Sequence, residues 1–126
     1  MFEKLTLTKM ARDLAGHAGA RMGVIARNVA NADTPGFKSM DLPSFAEVYR
    51  DPGQQMRATN SRHINATSQG FEAMVRPSNG ASAPNGNSVS LETEMVASAA
   101  VRRDHDMALA IFRSTSSIIR TSLGRS

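Results

Sequence analysis

The chain has no cysteine, which excludes disulfides, thiolate nucleophiles and cysteine-based zinc sites. It has no tryptophan and one tyrosine, and aromatics make up 5% of its 126 residues. Aromatic side chains bring large buried areas, and a short chain already buries a low fraction of its surface, so one copy is poorly equipped to close a core by itself. No apolar run approaches the ~20 residues of a membrane-spanning helix. The opening MFEKLTLTKM lacks the apolar stretch of about 7–15 residues that marks a cleaved secretory signal. The expectation is a protein that stays in the cytosol or is exported without signal cleavage. Charge of one sign is also scarce: Lys+Arg 15 against Asp+Glu 11 gives +4, and the longest cationic run is Arg102-Arg103. Nucleic-acid binders gather basic residues on one face, so no nucleic-acid partner is expected, and a helical nucleic-acid-binding protein is the weaker alternative.

What the chain does have is methionine, at 8 residues, and helical periodicity. Methionine packs adaptably but specifies shape poorly. Between residues 5 and 31, Leu7, Met10, Ala11, Leu14, Ala18, Met22, Ile25 and Val29 recur at steps of three and four. That spacing predicts one face of a long helix, with Thr6 or Thr8 as its cap. Gly16, Gly19 and Gly23 lie inside it. Each costs up to about 1 kcal/mol relative to Ala, and so dense a cluster points to the close approach of another helix. Residues 89–123 return to helix, with Ser88 or Ser90 as cap and Glu92 and Glu94 near the positive end of the dipole. The stripe there is Leu91, Met95, Ala99, Leu109, Phe112, Ser116, Ile119 and Leu123, interrupted around Arg102-Arg103-Asp104-His105-Asp106, with Gly124 as a stop.

Between the helices stand all five prolines, Pro35, Pro43, Pro52, Pro77 and Pro84, and the turn formers Asp51-Pro52-Gly53, Ser78-Asn79-Gly80 and Asn85-Gly86-Asn87. Phe71-Glu72-Ala73-Met74-Val75 leaves room for a short β-hairpin. The expected architecture is mainly α: an N-terminal helix in 1–32, an irregular middle in 33–88 and a C-terminal helix in 89–126. The two helices pack as a coiled coil or bundle, and neighbouring subunits complete it.

Reactive chemistry is not indicated. Asp104-His105-Asp106 places adjacent side chains about 100° apart on a helix, so they do not converge on one metal. His63 sits in a loop segment, where an interface role outranks catalysis, and Asn65-Ala66-Thr67 is a glycosylation triplet of a kind common by chance. Gly-x-Ser-x-Gly and Walker patterns are missing. The expectation is no enzyme, no cofactor, no metal and no small-molecule substrate.

The distinctive stretch is Asn28-Val29-Ala30-Asn31-Ala32-Asp33-Thr34-Pro35-Gly36-Phe37-Lys38. Asn28 and Asn31 can bond back to the backbone at a helix end, Asp33 can accept from the turn's amides, Pro35 ends the helix and Gly36 supplies a positive φ. One Gly or Asn suffices to stop a helix, so this segment reads as a joint with a fixed exit angle, anchored by Phe37. It resembles the N-terminal signature of bacterial flagellar rod, hook and hook-associated axial proteins, and the layout is similar to their shortest members, the proximal rod proteins. Thr59 through Ile64 and Asn85-Gly86-Asn87-Ser88-Val89-Ser90-Leu91-Glu92-Thr93-Glu94-Met95 are similar to further segments of one proximal rod type. Phe37 stands where the family more often has Tyr.

The resemblance implies a structural role and export through the flagellar type III apparatus without signal cleavage, with Phe2 and Leu5 in the export signal. It implies polymerisation in the periplasm with copies of itself and other rod proteins, connected to the MS ring and rod adaptor, so that torque passes through it. Leu7, Leu14, Met22, Ile25 and Val29 would face Met95, Leu109, Phe112 and Ile119, within or between subunits. Asn28 through Lys38 would set the outward turn and contact a neighbour. Gly86, Asn87, Val89, Leu91, Glu92 and Glu94 would lead into the C-terminal helix.

Overall fold

The structure is a computed structural model and describes residues 2–50 and 74–124. Asp51-Pro52-Gly53, Thr59 through Ile64 with His63, Asn65-Ala66-Thr67 and Phe71 through Ala73 lie outside the described residues. Two long helices dominate: α1, Phe2–Ala30, and α3, Leu91–Leu123. Between them come β1 (Met40–Asp41), the short helix α2 (Phe45–Arg50) and β2 (Arg76–Pro77). The strands pair antiparallel, Met40 opposite Pro77 and Asp41 opposite Arg76. The fold is therefore mainly α, with the terminal helices packed together and a small sheet between them, as expected.

The helices run antiparallel. Asn28 bonds Glu94 and Met22 meets Ser98, so positions fall along α1 as they rise along α3. On α3 the buried residues are Glu94, Val101, Ala108 and Thr115, at strict intervals of seven. On α1, Ala11, Ala18 and Ile25 repeat with the same spacing, and Leu14 and Asn28 share a second buried line. A sustained seven-residue repeat is the mark of a left-handed coiled coil. The centre is Ala18, Ile25 and Val101, flanked by half-buried Met22 and Ala97. Apart from Ile25 and Met22 these side chains are small, so the seam buries little. No residue described before Ala11 on α1 or after Thr115 on α3 is buried, so that end of the hairpin is thinly held.

Within one chain the seam takes only part of the expected face. Leu14 and Ile25 are buried and Met22 is half-buried, but Leu7, Val29, Met95, Leu109 and Phe112 lie on the surface of the chain and Ile119 is half-buried. The large apolar residues of α3 form a second line, one position round the helix from the line that meets α1. The rotation of α3 is fixed at its start, where Glu94 is drawn to Asn28, and this turns Val101 and Ala108 inward. Thr8 does not cap α1; it lies inside the helix, its hydroxyl bonding the Lys4 carbonyl. Ser90 caps α3 by accepting from the Thr93 amide, while Ser88 is used elsewhere. The helix runs without a break through Arg102–Asp106.

Gly19 and Gly23 of α1 do not serve this seam. A Cβ added at Gly19 or Gly23 would meet nothing within 4 Å. Gly19→Ala and Gly23→Ala should each stabilise the free chain by about 0.5–1 kcal/mol, because Ala lowers the backbone entropy lost on folding at no steric cost. A higher urea midpoint with an unchanged slope, followed by circular dichroism, would show it. No helix among the described residues is long and apolar enough to cross a membrane.

Candidate functional site

The joint forms where α1 ends. The Asn31 amide reaches both the Arg27 and Asn28 carbonyls, and its side-chain Nδ2 donates to Arg27 O at 2.8 Å. The Thr34 amide donates to Asn31 O and the Phe37 amide to Thr34 O, so backbone carbonyls, not Asp33, take these amides of the turn. Pro35 lies exposed on the turn, and Gly36 follows with φ +74°, in the left-handed region open to glycine.

The second motif closes onto this turn. Asn87 is 3% exposed, and its Nδ2 lies 2.9, 2.9 and 2.8 Å from the carbonyl oxygens of Asn31, Ala32 and Thr34. One amide group thus gathers three carbonyls of the turn that follows α1, and among them the Ala32 carbonyl has no other donor. Its Oδ1 accepts from the Val89 amide, and its own amide donates to Asn85 Oδ1. Gly86 has φ +84°, and a Cβ there would lie 3.3 Å from Gly36 Cα, so the two glycines allow the two loops to touch backbone to backbone. The Gly36 amide donates to Asn85 O and the Ser88 amide to Phe37 O. Lys38 Nζ spans the gap to Gly86 O and Ser82 Oγ. Ser88 Oγ accepts from the Ser39 amide at 2.8 Å, which is its role in place of capping α3.

Asn28 ties this turn to both long helices. It is 1% exposed. Its Nδ2 donates to Met40 O at 2.7 Å and Glu94 Oε1 at 3.1 Å, and its Oδ1 accepts from the Met40 amide at 3.0 Å. The side chain therefore pairs with Met40 as a strand residue would and holds Glu94 at the same time. Burial pushes the Glu94 carboxyl above the usual carboxylate range; the Asn28 bond opposes this, Asp41 adds to it and Arg21 opposes it. A raised folded-state pKa means that the folded chain holds the proton more tightly than the unfolded one. Stability from this group is present below its unfolded value and is lost as pH rises through the folded one. Glu94→Gln keeps an acceptor for Asn28 without the charge. The variant should be more stable than the parent at neutral pH, and the gap should close below the carboxylate range; urea titrations at both pH values test this.

A second clasp seats the segment after β1. His17, 1% exposed on α1, donates from Nε2 to Pro43 O at 2.7 Å and meets the Phe45 ring edge-on at 5.6 Å. Leu42 beside it is fully buried. The Arg76–Glu47 pair at 3.4 Å is exposed and contributes little.

Asn28, Asn31, Thr34, Gly36, Phe37 and Lys38 thus meet Gly86, Asn87, Val89 and Glu94 in one hydrogen-bonded unit, while Leu91 and Glu92 lie on the exposed first turn of α3. Sequence reasoning missed Ser39, Ser78, Ser88, His17 and Leu42. The available signal was two polar residues, Asn28 and Glu94, set in the apolar repeats of helices that must pair.

The chemistry of this unit is hydrogen bonding that holds two helices in register, the architecture of a structural helical-hairpin subunit. A family model described as "Flagella basal body rod protein" matches residues 18–38, the second half of α1 and the turn. The chain is 30% identical over 118 residues to "Flagellar basal body rod protein FlgB" of Agrobacterium fabrum, covering 89% of this chain and 88% of that protein. It is 35% identical over 75 residues to the protein of the same name from Aquifex aeolicus, covering 60% of this chain and 58% of that one. With the Proteus mirabilis protein of that name it is 38% identical over 52 residues, 35% of this chain and 38% of that one. The chain belongs to the flagellar basal body rod protein family.

Proposed function

We infer that the chain is a structural subunit of the bacterial flagellar basal body, a proximal rod component and not an enzyme. The observation that carries this reading is the similarity to the Agrobacterium fabrum protein over 118 residues, 89% of this chain, which reaches into both long helices. The physical reading supports it. The hairpin buries a thin seam of small residues, fixes its own register through the joint, and leaves a line of large apolar residues uncovered on α3. Such a chain gains most of its stability by assembling. Its partners are other rod and basal-body components, with the MS ring and rod adaptor on one side and the distal rod on the other. It reaches the periplasmic rod through the type III export apparatus without signal cleavage. Torque passes along the paired helices, and the joint keeps them from sliding.

The test is cryo-electron microscopy of basal bodies from a strain that carries only this chain in place of its own proximal rod protein. Density for both helices between the membrane ring and the distal rod, with restored swimming, is the expected result. Basal bodies that assemble fully without the chain would overturn the reading.

A further inference from the structure

We propose that Asn79, in the loop that follows β2, is the residue at which the folded chain acquires an isoaspartate, and that the closed joint shields the chain's other Asn-Gly pair. The two pairs are Asn79-Gly80 and Asn85-Gly86. Both invite the same reaction, because a glycine carries no Cβ to hinder its amide nitrogen. That nitrogen attacks Cγ of the asparagine before it. A nitrogen–carbon bond forms, the Cγ–Nδ2 bond breaks, and Nδ2 leaves as ammonia with the proton of the glycine amide. Water then opens the cyclic imide at either carbonyl. One opening gives aspartate; the other routes the main chain through Cβ and Cγ and gives isoaspartate.

Exposure does not separate the pairs, since Asn79, Gly80 and Asn85 are all exposed. Hydrogen bonds do. The Gly86 amide donates to Ala83 O at 2.8 Å, so the nitrogen that would attack is held on an acceptor. Asn85 Oδ1 accepts from the Asn87 amide at 3.1 Å, which fixes the side chain that would be attacked, and Asn85 O takes the Gly36 amide at 3.0 Å. Among the described residues, no hydrogen bond engages the Asn79 side chain or the Gly80 amide. The Asn79 carboxamide and the nitrogen that follows it are free to meet. The glycine itself is dictated by packing: a Cβ at Gly80 would lie 3.0 Å from Ser88 O. The site also borders the joint. The Ser78 amide donates to Ser39 O at 2.9 Å, the Ser78 and Ser39 hydroxyls meet at 2.6 Å, and the Ser39 amide donates to Ser88 Oγ. Isoaspartate adds a main-chain carbon and a carboxylate between Ser78 and Gly80, and so works against the contacts that fasten this loop to the joint.

The test uses the purified full chain, held in mildly alkaline buffer and followed by circular dichroism. Peptide mass mapping with electron-based fragmentation distinguishes asparagine, aspartate and isoaspartate at each position. Asn79 should convert about tenfold faster than Asn85 or more, the ratio set by a joint whose opening costs ~1.4 kcal/mol. In guanidinium chloride the two should convert at similar rates. Asn79→Gln should remove the fast conversion. Asn87→Ala, which opens the joint, should speed conversion of Asn85 by about tenfold and leave that of Asn79 unchanged. Equal rates in buffer, or conversion of Asn85 first, would overturn the proposal. So would an Asn79 that converts in guanidinium chloride but not in the folded chain. An Asn85 rate indifferent to Asn87→Ala would overturn the shielding by the joint.

Discussion

Asn87→Ala should open the joint and destabilise the free chain by about 2–4 kcal/mol, since each buried donor or acceptor left without a partner costs roughly 1–3 kcal/mol and the variant strands one of each. The Ala32 carbonyl and the Val89 amide lose their partner at once, while the Asn31 and Thr34 carbonyls keep the turn amides of Thr34 and Phe37. Domains are stable by only ~5–15 kcal/mol, and a hairpin whose core cluster is Ala18, Ile25 and Val101 belongs at the low end. The variant should therefore lose cooperative unfolding or show a much lower urea midpoint. Asn87→Asp is the sharper test. It keeps the size of the side chain but replaces the donor with a carboxylate facing three carbonyl oxygens, so it should be worse than alanine. If Asp proved milder than Ala, the amide would not be donating as described. If Ala cost less than about 0.5 kcal/mol, within the range of ordinary surface changes, the joint would not depend on Asn87 at all.

That result bears on why the two motifs were legible separately but not as a pair. The turn at Pro35 and Gly36 is written in local chemistry, since one residue blocks the helix and the other admits the left-handed region. The start of α3 is written just as locally, in Ser90, Glu92 and Glu94. Nothing local says that Asn87 reaches back to Asn31, because a side-chain amide carries no record of the carbonyl it will meet. The helices were legible for the usual reason: the apolar steps of three and four repeat over many turns. The seam was legible on α1 alone. Periodicity locates a face by its large residues, and it finds Leu14 and Ile25 with Ala11 and Ala18 on α1, but α3 meets them with Val101 and Ala108, and Asn28 and Glu94 join as polar members. The large residues of α3 form the neighbouring line. An amphipathic helix with two apolar lines gives one broad stripe to a sequence reading, and only the rotation set by the Asn28–Glu94 bond decides which line turns inward.

The separation of the two lines leads to a paired expectation. Ile25 is 6% exposed at the centre of the core cluster, and Phe112 is 42% exposed on the open line. Ile25→Asp places an unpaired carboxylate among Ala18, Val101 and Met22, at a cost of several kcal/mol, enough to unfold the hairpin. Phe112→Asp changes a surface position, so the free chain should shift by no more than about 0.5–1 kcal/mol. Circular dichroism of the purified chains should separate the two: Ile25→Asp loses helix and Phe112→Asp keeps it. Both should be expressed, and both should abolish rod assembly and swimming. Ile25→Asp fails because the subunit has no register to offer, and Phe112→Asp because a charge sits where a partner helix must bury apolar surface. Normal swimming by Ile25→Asp would deny that the hairpin seam matters in the assembled state. Normal swimming by Phe112→Asp would leave the second line of α3 without a structural purpose. Loss of helix in free Phe112→Asp would place that ring inside the hairpin.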